Sequence, residues 1–130
     1  MMNSLQKNST FSKKSIFENQ NKNTLEKRKL DSTNIMKKYP GRIPIICEIV
    51  GNNDMKLDKK KYLVPGDINI NQFTYIMRKK IKIDKSSSIY IFTENDKLPL
   101  VVNTIYEIYN TYKNEDGFLY LKISEENTFG

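Results

Sequence analysis

The residue best placed to take part in chemistry is Gly130, the last of 130 residues, reached through a polar approach from Ser124 to Thr128 and then Phe129. Without a Cβ, a glycine threads a narrow enzyme channel and adopts backbone angles closed to other residues. Its carboxylate can be activated, passed to a cysteine thiol and then to an amine. That chemistry is done to the chain, not by it. The chain has no histidine, so neither a Ser-His-Asp nor a Cys-His arrangement can be assembled. Cys47 is the single cysteine, which leaves no internal disulfide and, without histidine, no usual zinc site. Its place in the middle of an apolar strand reads as a buried, inert thiol. Glu115-Asp116 reads as a solvated turn, and the isolated Gly117 makes no phosphate-cradling loop. The expectation is a non-enzyme with no metal and no cofactor.

The elements around these residues set what they can do. The length allows one domain with a modest core. No apolar run approaches the ~20 residues of a membrane span, and Met1-Met2-Asn3-Ser4 lacks the apolar core of a secretory signal. Net charge is +7, and it is placed unevenly. Residues 1–42 hold ten Lys/Arg against three Asp/Glu, whereas residues 43–130 hold twelve of each. The basic third suits nucleic acid, an anionic membrane or acidic peptides, or is a solvated tail.

Residues 1–22, rich in Asn, Ser and Lys, read as a disordered or partly helical basic tail in which Phe11, Ile16 and Phe17 are isolated apolar points. A helix follows over 23–38, capped by Thr24 and stopped by Tyr39-Pro40-Gly41. Arg42 to Val50 is a strand with Ile43, Ile45, Cys47 and Ile49 on one face and Pro44, Ile46 and Glu48 on the other. Lys59 to Pro65 is a second strand. Asn69 caps a helix with a Phe73, Ile76, Met77, Ile81 stripe. Then come a strand over Ile89 to Phe92, a helix carrying Ile105, Ile108, Tyr109 and Tyr112, and a last strand over Phe118 to Ile123. The order fits an α+β ubiquitin-like β-grasp over 39–123, a four-stranded mixed sheet crossed by two helices, with an N-terminal helical extension and a flexible tail over 124–130. A ferredoxin-like α+β domain shares much of this periodicity. Lys59-Lys60-Lys61-Tyr62 suits RNA by charge but lacks the aromatic set of an RNA-binding sheet. It also suits an exposed edge, where lysine discourages aggregation and a partner strand can still add.

Three long stretches carry a resemblance: Lys38-Tyr39-Pro40-Gly41-Arg42-Ile43-Pro44-Ile45-Ile46-Cys47-Glu48, Leu57-Asp58-Lys59-Lys60-Lys61-Tyr62-Leu63-Val64-Pro65 and Glu115-Asp116-Gly117-Phe118-Leu119-Tyr120. With Leu25-Glu26-Lys27-Arg28 and the terminal Phe129-Gly130, the chain resembles the autophagy-related protein 8 family over about residues 24–130. The resemblance implies a ubiquitin-like modifier whose terminal glycine, here Gly130, is joined to phosphatidylethanolamine by activating and conjugating enzymes. It implies recruitment of receptors and adaptors that bear an aromatic-x-x-aliphatic motif flanked by acids. The aromatic pocket would map to Asp31, Ile35, Pro44, Ile46, Lys61, Leu63 and Phe118. The aliphatic pocket would map to Tyr62, Val64, Pro65, Ile68, Phe73 and Ile76, and the acid-contacting rim to Arg42, Lys59 and Lys80. The implied protein is cytoplasmic and monomeric until conjugated, then bound to autophagosomal or, in some parasites, plastid membranes, with no specific nucleic acid. A non-conjugated ubiquitin-like binding module is the alternative.

The sequence also departs from the family pattern. Asp31 is shorter than a frequent glutamate. Lys80 replaces a frequent arginine and cannot make its planar two-point contact with a carboxylate. Val101-Val102 stand where relatives place hydroxyl residues, so the next helix must be capped by Asn103 or Thr104. The chain reads as ending at the mature glycine, by nature or by trimming. Its Asn, Lys and Ile bias suits the AT-rich genome of a protist.

Overall fold

A computed structural model describes residues 14–51, 55–83 and 87–125. Its elements run α1 (Glu18–Lys22), α2 (Leu25–Lys38), β1 (Arg42–Ile49), β2 (Lys61–Pro65), α3 (Ile70–Lys80), β3 (Ile89–Thr93), α4 (Ile105–Tyr112) and β4 (Leu119–Glu125). The four strands form one sheet in the order β2-β1-β4-β3. β1 pairs antiparallel with β2 and parallel with β4, and β3 pairs antiparallel with β4. This mixed sheet with helices is the ubiquitin-like grasp.

Alternation divides the sheet into two faces. Ile43, Ile45 and Cys47 of β1 and Leu119, Leu121 and Ile123 of β4 join the main core with Phe73 and Met77 of α3 and Ile105 and Ile108 of α4. Ile46 of β1 and Tyr120 of β4 point the other way, into a second cluster with Phe17, Phe118 and Ile35. β1 is therefore covered on both sides, as its doubly apolar start predicts.

The helix starts follow local chemistry. Thr24 accepts the Lys27 N–H at the head of α2. Asn69 and Gln72 form a reciprocal capping box on α3. Thr104 takes over the cap that Val101-Val102 cannot supply: it accepts the Glu107 N–H, and Glu107 accepts the Thr104 N–H in return.

Three boundaries differ from the sequence reading. β2 is ordered from Lys61, because the preceding backbone is tied to β1 only by the bond from Cys47 N–H to Lys60 O (2.8 Å). β4 continues through Ser124 and Glu125, which pair with Tyr90 and Ile89, so the tail begins later than residue 124. The N-terminal segment is not all tail, since Phe17 is 2 % exposed and meets the Tyr120 ring at 4.7 Å. Residues 1–13 and 126–130, with Phe11 and Gly130 among them, lie outside the described residues.

Asp116 is the larger correction. It is buried, not solvated: its carboxylate accepts from Arg28 Nε at 2.8 Å, from the Phe118 N–H at 2.8 Å and from the Tyr120 hydroxyl. Tyr120 in turn accepts from Asn19 Nδ2 at 2.8 Å. Burial, followed by the Asp116 contact, pushes the Tyr120 phenol up, so it remains a donor. One carboxylate thus ties α1 and α2 to the turn before β4. Next to it, Gly117 has φ +89°, and a Cβ there would sit 2.3 Å from Ser32 Oγ. Only glycine fits so close to α2.

Cys47 is fully buried in the main core, and burial pushes its thiol up. A thiol reagent should modify it slowly in the native protein and rapidly in denaturant. Cys47→Ala should cost about 1 kcal/mol in urea unfolding, the scale of a small deletion in a packed core. Fast native labelling would contradict this packing.

Candidate functional site

β2 is an edge strand, and its hydrogen-bond parity decides what the edge offers. Cys47 bonds Lys60, so in the alternating antiparallel ladder Tyr62 and Val64 turn their backbone groups inward to Ile45 and Ile43. Lys61 and Leu63 turn theirs outward. Pro44 stands opposite Leu63, at a position that needs no N–H, so it costs the ladder nothing. Pro65 ends the strand opposite Arg42 and is exposed. The free edge therefore presents two bonding residues between a proline stop and a lysine-rich approach. An added extended chain finds its register there.

Side chains follow the same parity. Lys61 and Leu63 share a face with Pro44 and Ile46, the face covered by α1 and α2. Phe118 floors this side, 1 % exposed, with Lys61 Nζ 5.7 Å from its ring centroid. Ile35 of α2 packs against the same cluster. Asp31 lies one turn before Ile35, its carboxylate 3.2 Å from Lys27 Nζ. The structure thus gathers Ile35, Pro44, Ile46, Lys61, Leu63 and Phe118 on one side of the edge, with Asp31 on the helix above.

Tyr62 and Val64 share the opposite face with α3 and the main core. Phe73 is fully buried there, while Ile68, Ile76 and Tyr62 are half-buried. Burial pushes the Tyr62 phenol up to about 12, with smaller contributions from Cys47 and Asp58. Its hydroxyl donates to Lys59 O at 2.6 Å.

Two cavities flank the edge. One of about 180 Å³ lies where α1 meets β1 and β2, lined by Glu18, Asn19, Ile46, Glu48, Lys60 and Lys61 among others. Glu48 pairs with Lys60 at 3.1 Å and accepts the Glu18 N–H at 3.2 Å, which straps α1 to the strands. Hydrogen bonding from Lys22 holds the Glu18 carboxyl below its usual range. The other cavity, about 390 Å³, is lined by Asp58, Lys59, Tyr62, Lys79, Lys80 and Lys82. Lys80 Nζ stands 5.9 Å from the Tyr62 ring centroid. Four lysines against one aspartate make this a basin for acidic groups. Arg42 is exposed at the far end of β2, with Nη1 3.5 Å from Leu63 O. Arg42, Lys59 and Lys80 are thus all exposed.

Sequence reasoning missed the contribution of α1. Phe17 backs Ile46 and Phe118 from behind, and Glu18 and Asn19 line the cavity beside them. The available signal was the Ile16-Phe17 pair ahead of the capped helix. Among the described residues no group of His, Cys, Asp or Glu is arranged to hold a metal ion. No helix among them is long and apolar enough to cross a membrane.

Comparison with known proteins gives one answer. The family model described as autophagy protein Atg8 ubiquitin like matches residues 27–130. Autophagy-related protein 8 of Kluyveromyces lactis is 49 % identical over 106 residues, covering 81 % of this chain and 85 % of that protein. Autophagy-related protein 8b of Arabidopsis thaliana is 49 % identical over 109 residues, covering 83 % and 88 %. Among solved structures, Trypanosoma brucei ATG8 superposes with a TM-score of 0.78 at 39 % identity, covering 87 % of this chain and 97 % of that one. Plasmodium falciparum Atg8, solved in complex with a Plasmodium falciparum Atg3 peptide, superposes with a TM-score of 0.72 at 28 % identity, covering 80 % and 92 %.

Proposed function

The chain belongs to the Atg8 family of ubiquitin-like autophagy proteins, and on that premise we propose that it is a modifier joined through Gly130 to phosphatidylethanolamine and read by motif-bearing partners. The observation that carries the reading is the free β2 edge with a buried apolar cluster beneath each face. An extended peptide adds beside Lys61 and Leu63. Its aromatic ring enters between Pro44, Ile46, Leu63 and Phe118. Its aliphatic residue, three positions on, points to the other face and packs near Val64, Phe73 and Ile76. Backbone bonds supply register, the pockets supply specificity, and Arg42, Lys59, Lys61 and Lys80 draw acids. The partners so defined are activating and conjugating enzymes and acid-flanked receptors or adaptors. The conjugate resides on the autophagosome, or on a plastid membrane where one is served.

Conjugation supplies what the described domain lacks. Two acyl chains suffice for stable anchoring where one is marginal. Incubation with activating and conjugating enzymes and phosphatidylethanolamine liposomes should give a faster-migrating lipidated band. Gly130→Ala should lose that band and keep peptide binding. No band with the unaltered chain would leave a non-conjugated binding module as the function.

A further inference from the structure

We propose that residues 1–13 of this chain dock on the outer face of the sheet beside α1, with Phe11 as the side chain that enters. Strand alternation continues that face beyond the second cluster. Ile46 stands beside Tyr120 and Glu48 beside Lys122, so Glu48 and Lys122 share the side of Ile46 and Tyr120. Phe92 stands opposite Lys122 and Tyr90 opposite Ser124, which carries the face on to β3. α1 crosses only part of it: the Glu18 N–H binds Glu48 on β1, and Gln20 Nε2 binds Glu94 just past β3 at 2.7 Å.

Beside the start of α1, at the end of the sheet where β1 and β4 finish, lies a cavity of about 320 Å³ lined by Ile16, Val50, Phe92, Asp96, Lys122 and Ser124. Its two charged members neutralise each other, Lys122 pairing with Asp96. What remains is mostly apolar. Ile16 is 51 % exposed on one side. On the other, Tyr90 is 41 % exposed, and its ring meets that of Phe92 edge-on with centroids 6.3 Å apart.

The chain itself supplies the occupant. Ile16 lines the cavity, so residues 1–13 join the domain at its wall. Phe11 lies five positions before Ile16, a reach of up to about 17 Å of extended chain. Crossing from β1 over β4 to β3 takes about 10 Å, two strand spacings. The ring therefore reaches every part of the cavity, and the short tether holds it there at high effective concentration. It is also the largest apolar group the segment has to bury. Charge agrees. Lys7 and Lys13 are the only charged side chains of residues 1–13, and Asp96 keeps 80 % of its side chain exposed despite its pair. The other end of the chain fits less well, because it follows Glu125 at the tip of β4 and would bring Glu126 towards Asp96. A segment seated here covers the apolar residues of this face. It also lies beside Ser124, at the end of β4 that leads to Gly130.

The test uses the full chain with Phe11→Trp, which introduces the sole tryptophan of the protein. Its emission should be shifted to the blue, and shielded from acrylamide, relative to a synthetic peptide of residues 1–16 with the same change. Adding Val50→Lys on the cavity wall should return both readouts to the peptide values while circular dichroism is unchanged. If that variant unfolds, Phe92→Ser makes the same comparison from the β3 side. Peptide-like emission from the Phe11→Trp protein overturns the proposal. So does a blue shift that the wall variant leaves intact, which would dock the segment elsewhere. A shift that disappears on dilution would make the occupant the segment of a second copy, and overturns it as well.

Discussion

Asp116→Ala should be the most destabilising single change outside the apolar core, costing about 3–5 kcal/mol in urea unfolding, the usual loss when one partner of a buried ion pair is removed. The substitution leaves Arg28, whose side chain is 13 % exposed, facing an empty site. It also orphans the Phe118 N–H and the Tyr120 hydroxyl. Two elements depend on that cluster, α2 through Arg28 and α1 through Asn19. Hydrogen exchange should therefore accelerate first in α1 and α2, ahead of the sheet. Asp116→Asn should cost less, because an amide oxygen can still accept from Phe118 N–H while the charge opposite Arg28 is lost. A uniform loss of protection across the domain would show that the cluster supports the whole fold and not the helix attachment. In the proposed docking mode Phe118 floors the aromatic pocket, so the alanine variant should also bind motif peptides more weakly than its folded fraction accounts for.

Leu63→Ala should weaken an acid-flanked aromatic-x-x-aliphatic peptide at least about tenfold, the consequence of truncating a central pocket residue worth ~2 kcal/mol or more. Leu63 is half-buried and its backbone faces outward, so the domain should remain folded and should still be conjugated. Lys59→Glu should act more mildly and mainly at low salt, since an exposed rim charge is screened within about 10 Å at 0.1 M. The measurement is titration calorimetry with wild type and variant, alongside thermal unfolding. Unchanged affinity in a folded Leu63→Ala protein would move the docking surface away from β2.

The parts of this fold that were legible in the sequence are those fixed by local chemistry. Thr24 and Asn69 announce helix starts because a side-chain oxygen beside an orphan N–H works wherever the rest of the chain lies. The alternation from Ile43 to Cys47 gives the faces of β1 because side chains alternate in any strand. Asp116 was misread because nothing near it in sequence tells of Arg28, which arrives from 88 residues away. Phe17 was read as an isolated apolar point for the same reason: α1 has five residues and no side-chain cap, and Phe17 ahead of it enters the second cluster. The residues proposed for the two pockets come from family resemblance, and strand parity shows only that Lys61 and Leu63 share one face and Tyr62 and Val64 the other. The lysine basin beside Tyr62 needed the third dimension, because Lys59 and the α3 lysines meet only when the helix packs across the sheet.

The parallel pairing of β1 with β4 also sets the timing of folding. Ile45 meets Leu119 and Ile49 meets Ile123, partners 74 residues apart, and these are the two inner strands of the sheet. Among the described residues β3 pairs in the sheet only with β4. On a ribosome, the nascent chain up to residue 118 can close only the β1-β2 hairpin and its helices. The edges of β1 and β3 then remain open, in a state that long-range pairing makes slow to resolve and prone to aggregate. The domain therefore completes itself only after β4 emerges, and chaperone demand should concentrate in that interval.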